Sequence, residues 1–132
     1  MEVEFKSNRQ EVMQEFEAAV ARALERCGSQ AEGYAKDLCP ENTGNLRSSI
    51  AHKVDPQKQV AYVGTNVSYA PYVELGTGIH YPGGRKTPWK YKDSEGDWHV
   101  TRGQEAQPYL KPAVADHAQT YRNIINDEMR GK

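Results

Sequence analysis

From about Asn8 to Leu38 the apolar residues Val12, Phe16, Val20, Ala23, Leu24, Cys27, Ala31, Tyr34, Ala35 and Leu38 recur every three or four positions, the period of one helical face. The spacing predicts a long amphipathic helix. Ser7 and Gln10 resemble a capping box, Glu11, Glu15 and Glu17 sit where the helix dipole favours negative charge, and Pro40 ends the run. At 1.5 Å per residue, about 30 residues extend about 45 Å. The small sheet available to cover such a helix is shorter, so part of the apolar stripe is expected to meet another subunit.

Beyond Pro40 the pattern shortens. Thr43-Gly44-Asn45 reads as a turn, and Leu46 with Ile50 as a short helical turn. Ile50, His52 and Val54 then alternate with Ala51, Lys53 and Asp55, and after Asp55-Pro56 the run Val60 to Gly64 supplies a second strand of a hairpin. A third extended piece is expected near Val67, followed by a helical turn over Tyr69 to Leu75 that Gly76 closes. Residues 76–107 have no helical period, many glycines and prolines, and both tryptophans. Within them Trp89-Lys90-Tyr91-Lys92 and Trp98-His99-Val100-Thr101 flank an Asp/Glu/Gly turn, which predicts a second hairpin projecting its aromatic side chains from one face. Pro108 and Pro112 open a last helix running to about Met129, with the stripe Leu110, Val114, Ala118, Tyr121, Ile125 and Met129.

These elements predict one α+β domain over residues 1–132. A small antiparallel sheet packs against a long N-terminal helix (8–39) and a C-terminal helix (108–130). A hairpin and short helix occupy 49–75, and a projecting loop and hairpin arm occupies 76–107.

Composition narrows the possible functions. The 17 basic and 18 acidic residues leave a net charge of -1, so the chain is no polycation for wrapping nucleic acid. A mean hydropathy of -0.86 points to large solvated or partner-facing surfaces. No apolar run approaches the roughly 20 residues that cross a bilayer, and the start lacks a secretory profile, so no membrane role and a cytoplasmic origin are expected. Cys27 and Cys39 lie too far apart along one helix to join and are expected to be reduced, with Cys27 facing the core.

His52, His80, His99 and His117 lack metal-ligand spacing, no nucleophile elbow is present, and no cofactor motif occurs. Catalytic, cofactor and metal residues are therefore expected to be absent. Glu74, the most enzyme-like carboxylate, reads better as a helix-end or interface residue, capping or pairing with Arg47, with Tyr72 in the core; a small hydrolase built around Glu74 and one histidine is a lesser alternative. Seven of the 12 aromatic residues lie between 65 and 110, which favours a protein interface there. Arg85, Lys86, Trp89, Tyr91, Trp98 and Arg102 are the candidate contact residues, and a nucleic-acid-binding module using the aromatic and basic loop 81–102 is the alternative.

Three short motifs occur in order: Thr43-Gly44-Asn45-Leu46-Arg47 with Ser49-Ile50, then Tyr69-Ala70-Pro71-Tyr72-Val73-Glu74 with Gly76-Thr77, then Gln107-Pro108-Tyr109-Leu110 with Pro112-Ala113. In order and spacing they resemble the small neck or tail-completion proteins of long-tailed bacteriophages and prophages. Leu75 and Tyr109 stand where phenylalanine is expected in many relatives. The resemblance implies a non-enzymatic virion component of α+β fold, made in the host cytoplasm and assembled as a homo-oligomeric ring at the head-tail junction. Its neighbours there would be head-completion or connector proteins and tail-terminator or tail-tube proteins, and phage DNA would pass the lumen without sequence-specific contact. Gly44, Leu46, Arg47, Tyr69, Tyr72, Glu74, Gly76, Thr77, Pro108 and Tyr109 would serve the family's fold or interface.

Overall fold

The computed structural model describes residues 9–40 and 44–130. Helix α1 (Arg9–Leu38) leads to a short α2 (Gly44–Ser49), the antiparallel strands β1 (Ala51–Asp55) and β2 (Val60–Gly64), and α3 (Ala70–Leu75). A single 3₁₀ turn (Gly78–His80) precedes strands β3 (Trp89–Lys92) and β4 (Trp98–Thr101), and the chain ends in α4 (Leu110–Ala115) and α5 (Ala118–Met129). The architecture is mixed α+β, a long N-terminal helix and C-terminal helices with two separate two-stranded antiparallel sheets. Ser7 and Thr43 lie outside the described residues, so the proposed capping box and the full first turn do too.

The covered face of α1 is made of small residues, Ala19, Ala23, Gly28, Ala31 and Ala35. Their size lets β1, β2, α4 and α5 approach the helix closely. In the first hairpin His52 pairs with Val63 and Val54 with Ala61, which puts all four on one face of the ribbon. A close approach occurs at Gly28, where an added Cβ would stand 2.7 Å from Cδ2 of His52.

The best-covered core lies at the C-terminal end of α1. Ala35, Cys39, Leu46, Ile50, Ala70, Tyr109 and Ala113 form it, with Tyr34, Val63, Val67, Val73 and Leu110 packed around them. Each of the three recognised motifs contributes at least one member.

Three expectations fail here. Residues near Val67 form no strand: Thr65 Oγ1 accepts the Val67 amide, and Val67 then supplies its carbonyl to Ala70 at the start of α3. The C-terminal helix breaks at Asp116 and His117, because the His117 ring is stacked on Tyr34 of α1 with centroids 3.5 Å apart. The Tyr121 hydroxyl donates to the Ala113 carbonyl at 2.5 Å, an acceptor that an unbroken helix would pair with the amide of residue 117. The covered face is also offset by one residue from the expected stripe, on both sides of the break. Ala113, Ile124 and Glu128 are buried, whereas Val114, Ile125 and Met129 of the expected stripe are exposed.

Glu128 is the polar member of that face. Arg22 and Arg26, one turn apart on α1, donate to its two carboxylate oxygens at 3.0 and 3.1 Å. The hydrogen bond from Arg22, with that from Arg26, holds the carboxyl below its usual range despite the opposing effect of burial.

Candidate assembly surface

The motif residues first build a frame. Leu46 and Tyr109 are fully buried. Gly44 starts α2, and Arg47 sends Nη2 to the Cys39 carbonyl at 2.7 Å, satisfying a carbonyl just past the end of α1. Glu74 does not pair with Arg47. Its carboxylate reaches across to α4, where Oε2 accepts the amides of Tyr109 (2.7 Å) and Leu110 (3.1 Å) and Oε1 accepts that of Lys111 (2.8 Å). Amides at a helix start have no partner within the helix, so this one side chain satisfies three at once. Burial, with the Glu74 charge nearby, pushes the Tyr109 phenol up to about 12. Its hydroxyl has no hydrogen-bond partner among the described residues, and so makes no hydrogen bond that a phenylalanine at this position would lack.

Tyr69 stands just before α3 and is 38 % exposed, and Tyr72, expected in the core, is 50 % exposed. The reason is local. On a helix as short as α3, Ala70 and Val73 take the inward positions at spacing three, which turns Tyr72 outward against Tyr81, with ring centroids 5.1 Å apart. Pro108 is exposed immediately before buried Tyr109.

The arm leaves this frame through a pinned base. Gly76 ends α3 with a φ of 85°. The Thr77 amide donates to the Gln104 carbonyl (2.9 Å), the Gln104 amide to Thr77 Oγ1 (2.8 Å), and the Ile79 amide to the Arg102 carbonyl (3.0 Å). The two chains cross at Gly78 and Gly103, both at positive φ, where a Cβ on either would run into the carbonyl of Arg102 or of Thr77.

Beyond the base, Arg85 lies over the Trp89 ring (5.6 Å) and donates Nε to Thr87 Oγ1, while Lys86 is exposed. Tyr72, Tyr81, Arg85 and Trp89 line an open cleft of about 410 Å³. The outer turn is held by Asp93, whose carboxylate accepts the amides of Glu95 and Asp97 and a hydrogen bond shared with His99 Nε2 at 2.6 Å. The His99 bond, more than the backbone amides, holds the Asp93 carboxyl below its usual range.

The second hairpin does not gather its aromatics on one face. Trp89 pairs with Thr101 and Tyr91 with His99, whereas Lys90 pairs with Val100 and Lys92 with Trp98. Opposed residues of an antiparallel pair share a face, so Trp89 and Tyr91 lie on one side and Trp98 on the other with the two lysines. Trp98 is 67 % exposed and Val100 65 %. Arg102, also exposed, lies at the base and contributes its carbonyl to the crossing.

A second apolar surface lies at the start of α1, where Val12, Met13 and Phe16 are 57, 49 and 46 % exposed. Cys27 is only partly buried; burial raises its thiol, and Sγ lies 3.8 Å from the Tyr121 carbonyl. Among the described residues no group of three or more His, Cys, Asp or Glu is placed to hold a metal ion, and no helix is long and apolar enough to cross a membrane.

Residues 4–76 match the family described as "Bacteriophage HK97-gp10, putative tail-component". The chain belongs to this family. The HK97-gp10-like family is one of structural phage tail components rather than of enzymes. The matched residues run from the start of the chain through α3 to Gly76, so they include Leu46, Arg47 and Glu74 but neither the arm nor α4 and α5. No curated protein and no solved structure matches the chain.

Proposed function

We propose that this tail component acts by joining or completing the junction between phage head and tail as a homo-oligomeric ring. The observation that carries the proposal is the presence, on one small chain, of two separate uncovered apolar surfaces, the start of α1 and the second hairpin. A ring arises when one patch of each subunit meets a different patch of the next and the rotation closes. Large exposed apolar side chains on a polar chain are the expected mark of such contacts. Arg85, Lys86, Trp89, Tyr91, Trp98 and Arg102 belong to the contact arm in this proposal. The neighbours along the particle axis would be head-completion or connector proteins on one side and tail-terminator or tail-tube proteins on the other. DNA would cross the lumen without its sequence being read, and assembly would take place in the host cytoplasm before the protein enters the virion.

Deleting Trp89 to Val100 tests this, because the hydrogen bonds at the arm base lie outside the deletion. The shortened protein is expected to keep its circular dichroism spectrum and cooperative melting while heads and tails accumulate unjoined in electron micrographs. Normal numbers of joined particles would show that the arm is not the contact.

A further inference from the structure

The hairpin and the start of α1 each carry two parallel rows. On the hairpin, Lys90 and Lys92 form a basic row beside an apolar row of Val100 and Trp98, their directly opposed partners. On α1, Glu11 and Glu15 form an acidic row, and Val12 and Phe16, one residue further round the helix, form an apolar row beside it. All eight side chains are exposed. The spacings agree: two residues along a strand cover about 7 Å, and four along a helix about 6 Å. Lys90, Trp98 and Val100 also line a shallow depression of about 510 Å³, wide enough to take a helix side chain.

We infer that the lysine-bearing face of the hairpin docks on the start of α1 in a second copy of this chain. The apolar rows lie against each other, with Lys90 and Lys92 facing Glu11 and Glu15. This pairing rests on the ring proposed above and names its subunit contact. The charge pattern selects the occupant. An acidic apolar patch and a basic apolar patch on one chain are complementary to each other and repel their own kind, so contact between unlike patches, which head-to-tail association requires, is favoured over contact of either patch with itself. Arg9 lies on the opposite flank of Val12 and Phe16 from the two glutamates, so it does not interrupt the acidic row. At the hairpin tip the Asp93 carboxylate is held by amides of its own loop and by His99, which pairs with Tyr91 on the face opposite the lysines.

The test is sedimentation velocity across a concentration series for wild type, K90E/K92E, E11K/E15K and the combined variant, each checked for an unchanged melting curve. Each double substitution alone sets like charges against each other and is expected to weaken self-association by about tenfold or more. The combined variant, with the charges exchanged, is expected to return to within about threefold of wild type. Wild-type association that neither double substitution weakens would overturn this contact while leaving the ring intact. So would loss without recovery in the combined variant. A wild type that stays monomeric throughout would overturn the ring and the contact together. If K90E/K92E instead abolishes salt-sensitive binding to short DNA and leaves self-association unchanged, the lysine row serves nucleic acid and the inference fails.

Discussion

His52 illustrates how much one side chain can join. Its Nδ1 lies 2.9 Å from Oε1 of Glu32 and its Nε2 2.5 Å from Oε1 of Glu25, while its own backbone amide also donates to Glu32. With a carboxylate at each ring nitrogen, the protonated ring can donate from both nitrogens at once, which favours its charged form. The hydrogen bond with Glu25, then that with Glu32, raises the His52 pKa above its ordinary 6.5, and the His52 bond lowers that of Glu32 below 4.5. The signs follow from linkage. The histidine contribution is complete below pH 6.5 and is lost as pH rises through the raised folded value; the Glu32 contribution is complete above 4.5 and is lost as pH falls through the lowered one. Stability from this clamp is therefore greatest between those two ordinary values. Thermal melts of wild type and His52→Asn across pH should differ most within that window and converge on the alkaline side; a constant difference would remove the charged histidine from the account. Gly28 belongs to the same site, since any side chain there meets the imidazole that the two glutamates hold in place.

Among elements, α3 and α4 are each only six residues long and would not persist alone. Glu74 makes them one unit. Its three amide contacts, with the Gln107 amide donating to the Val73 carbonyl at 2.8 Å, set the path by which the chain returns from the arm to the last helices. Replacing Glu74 by Ala should cost about 2–3 kcal/mol, because three helix-start amides lose a charged acceptor together. Glu74→Gln, which keeps an acceptor oxygen, should cost about half as much. Urea unfolding checks both values, and equal, near-zero losses would mean that water replaces the carboxylate freely. The broken C-terminal helix shows the same dependence between elements. The Tyr34 ring on α1 stacks on His117 at the interruption, and Val114 and Ile125, exposed on either side of it, line a cleft that they share with Leu24, Val60 and Tyr62.

At the scale of the whole molecule, the described residues bury the C-terminal end of α1 more fully than its start. Helix α1 meets the first hairpin, α4 and α5, but Val12, Met13 and Phe16 remain uncovered beyond them. In the ring proposed above, each subunit would gain the covering of this helix end from another chain. Because the proposed contact combines apolar rows with exposed charges, self-association should weaken as salt is raised from about 0.1 M to about 1 M, where the screening length falls from about 10 Å to about 3 Å. Light scattering over that range provides the check. Association that strengthens with salt would mean that burial of apolar side chains outweighs the paired charges.

The sequence alone determined the long first helix, both hairpins and the α+β class, because helical and strand periods are local and recur over enough residues to stand above neighbouring noise. The three motifs likewise pointed to the family, whose match covers the first of them and the second as far as Gly76. Position along the chain could not reveal which partner each polar residue takes. Glu74 meets amides 35 to 37 residues away and Arg22 meets a carboxylate 106 residues away. The break at His117, the one-residue offset of the buried face of α4 and α5 and the outward turn of Tyr72 have the same origin. Burial of a short element is set by whichever surface packs against it, and that surface exists only once distant parts of the chain have come together.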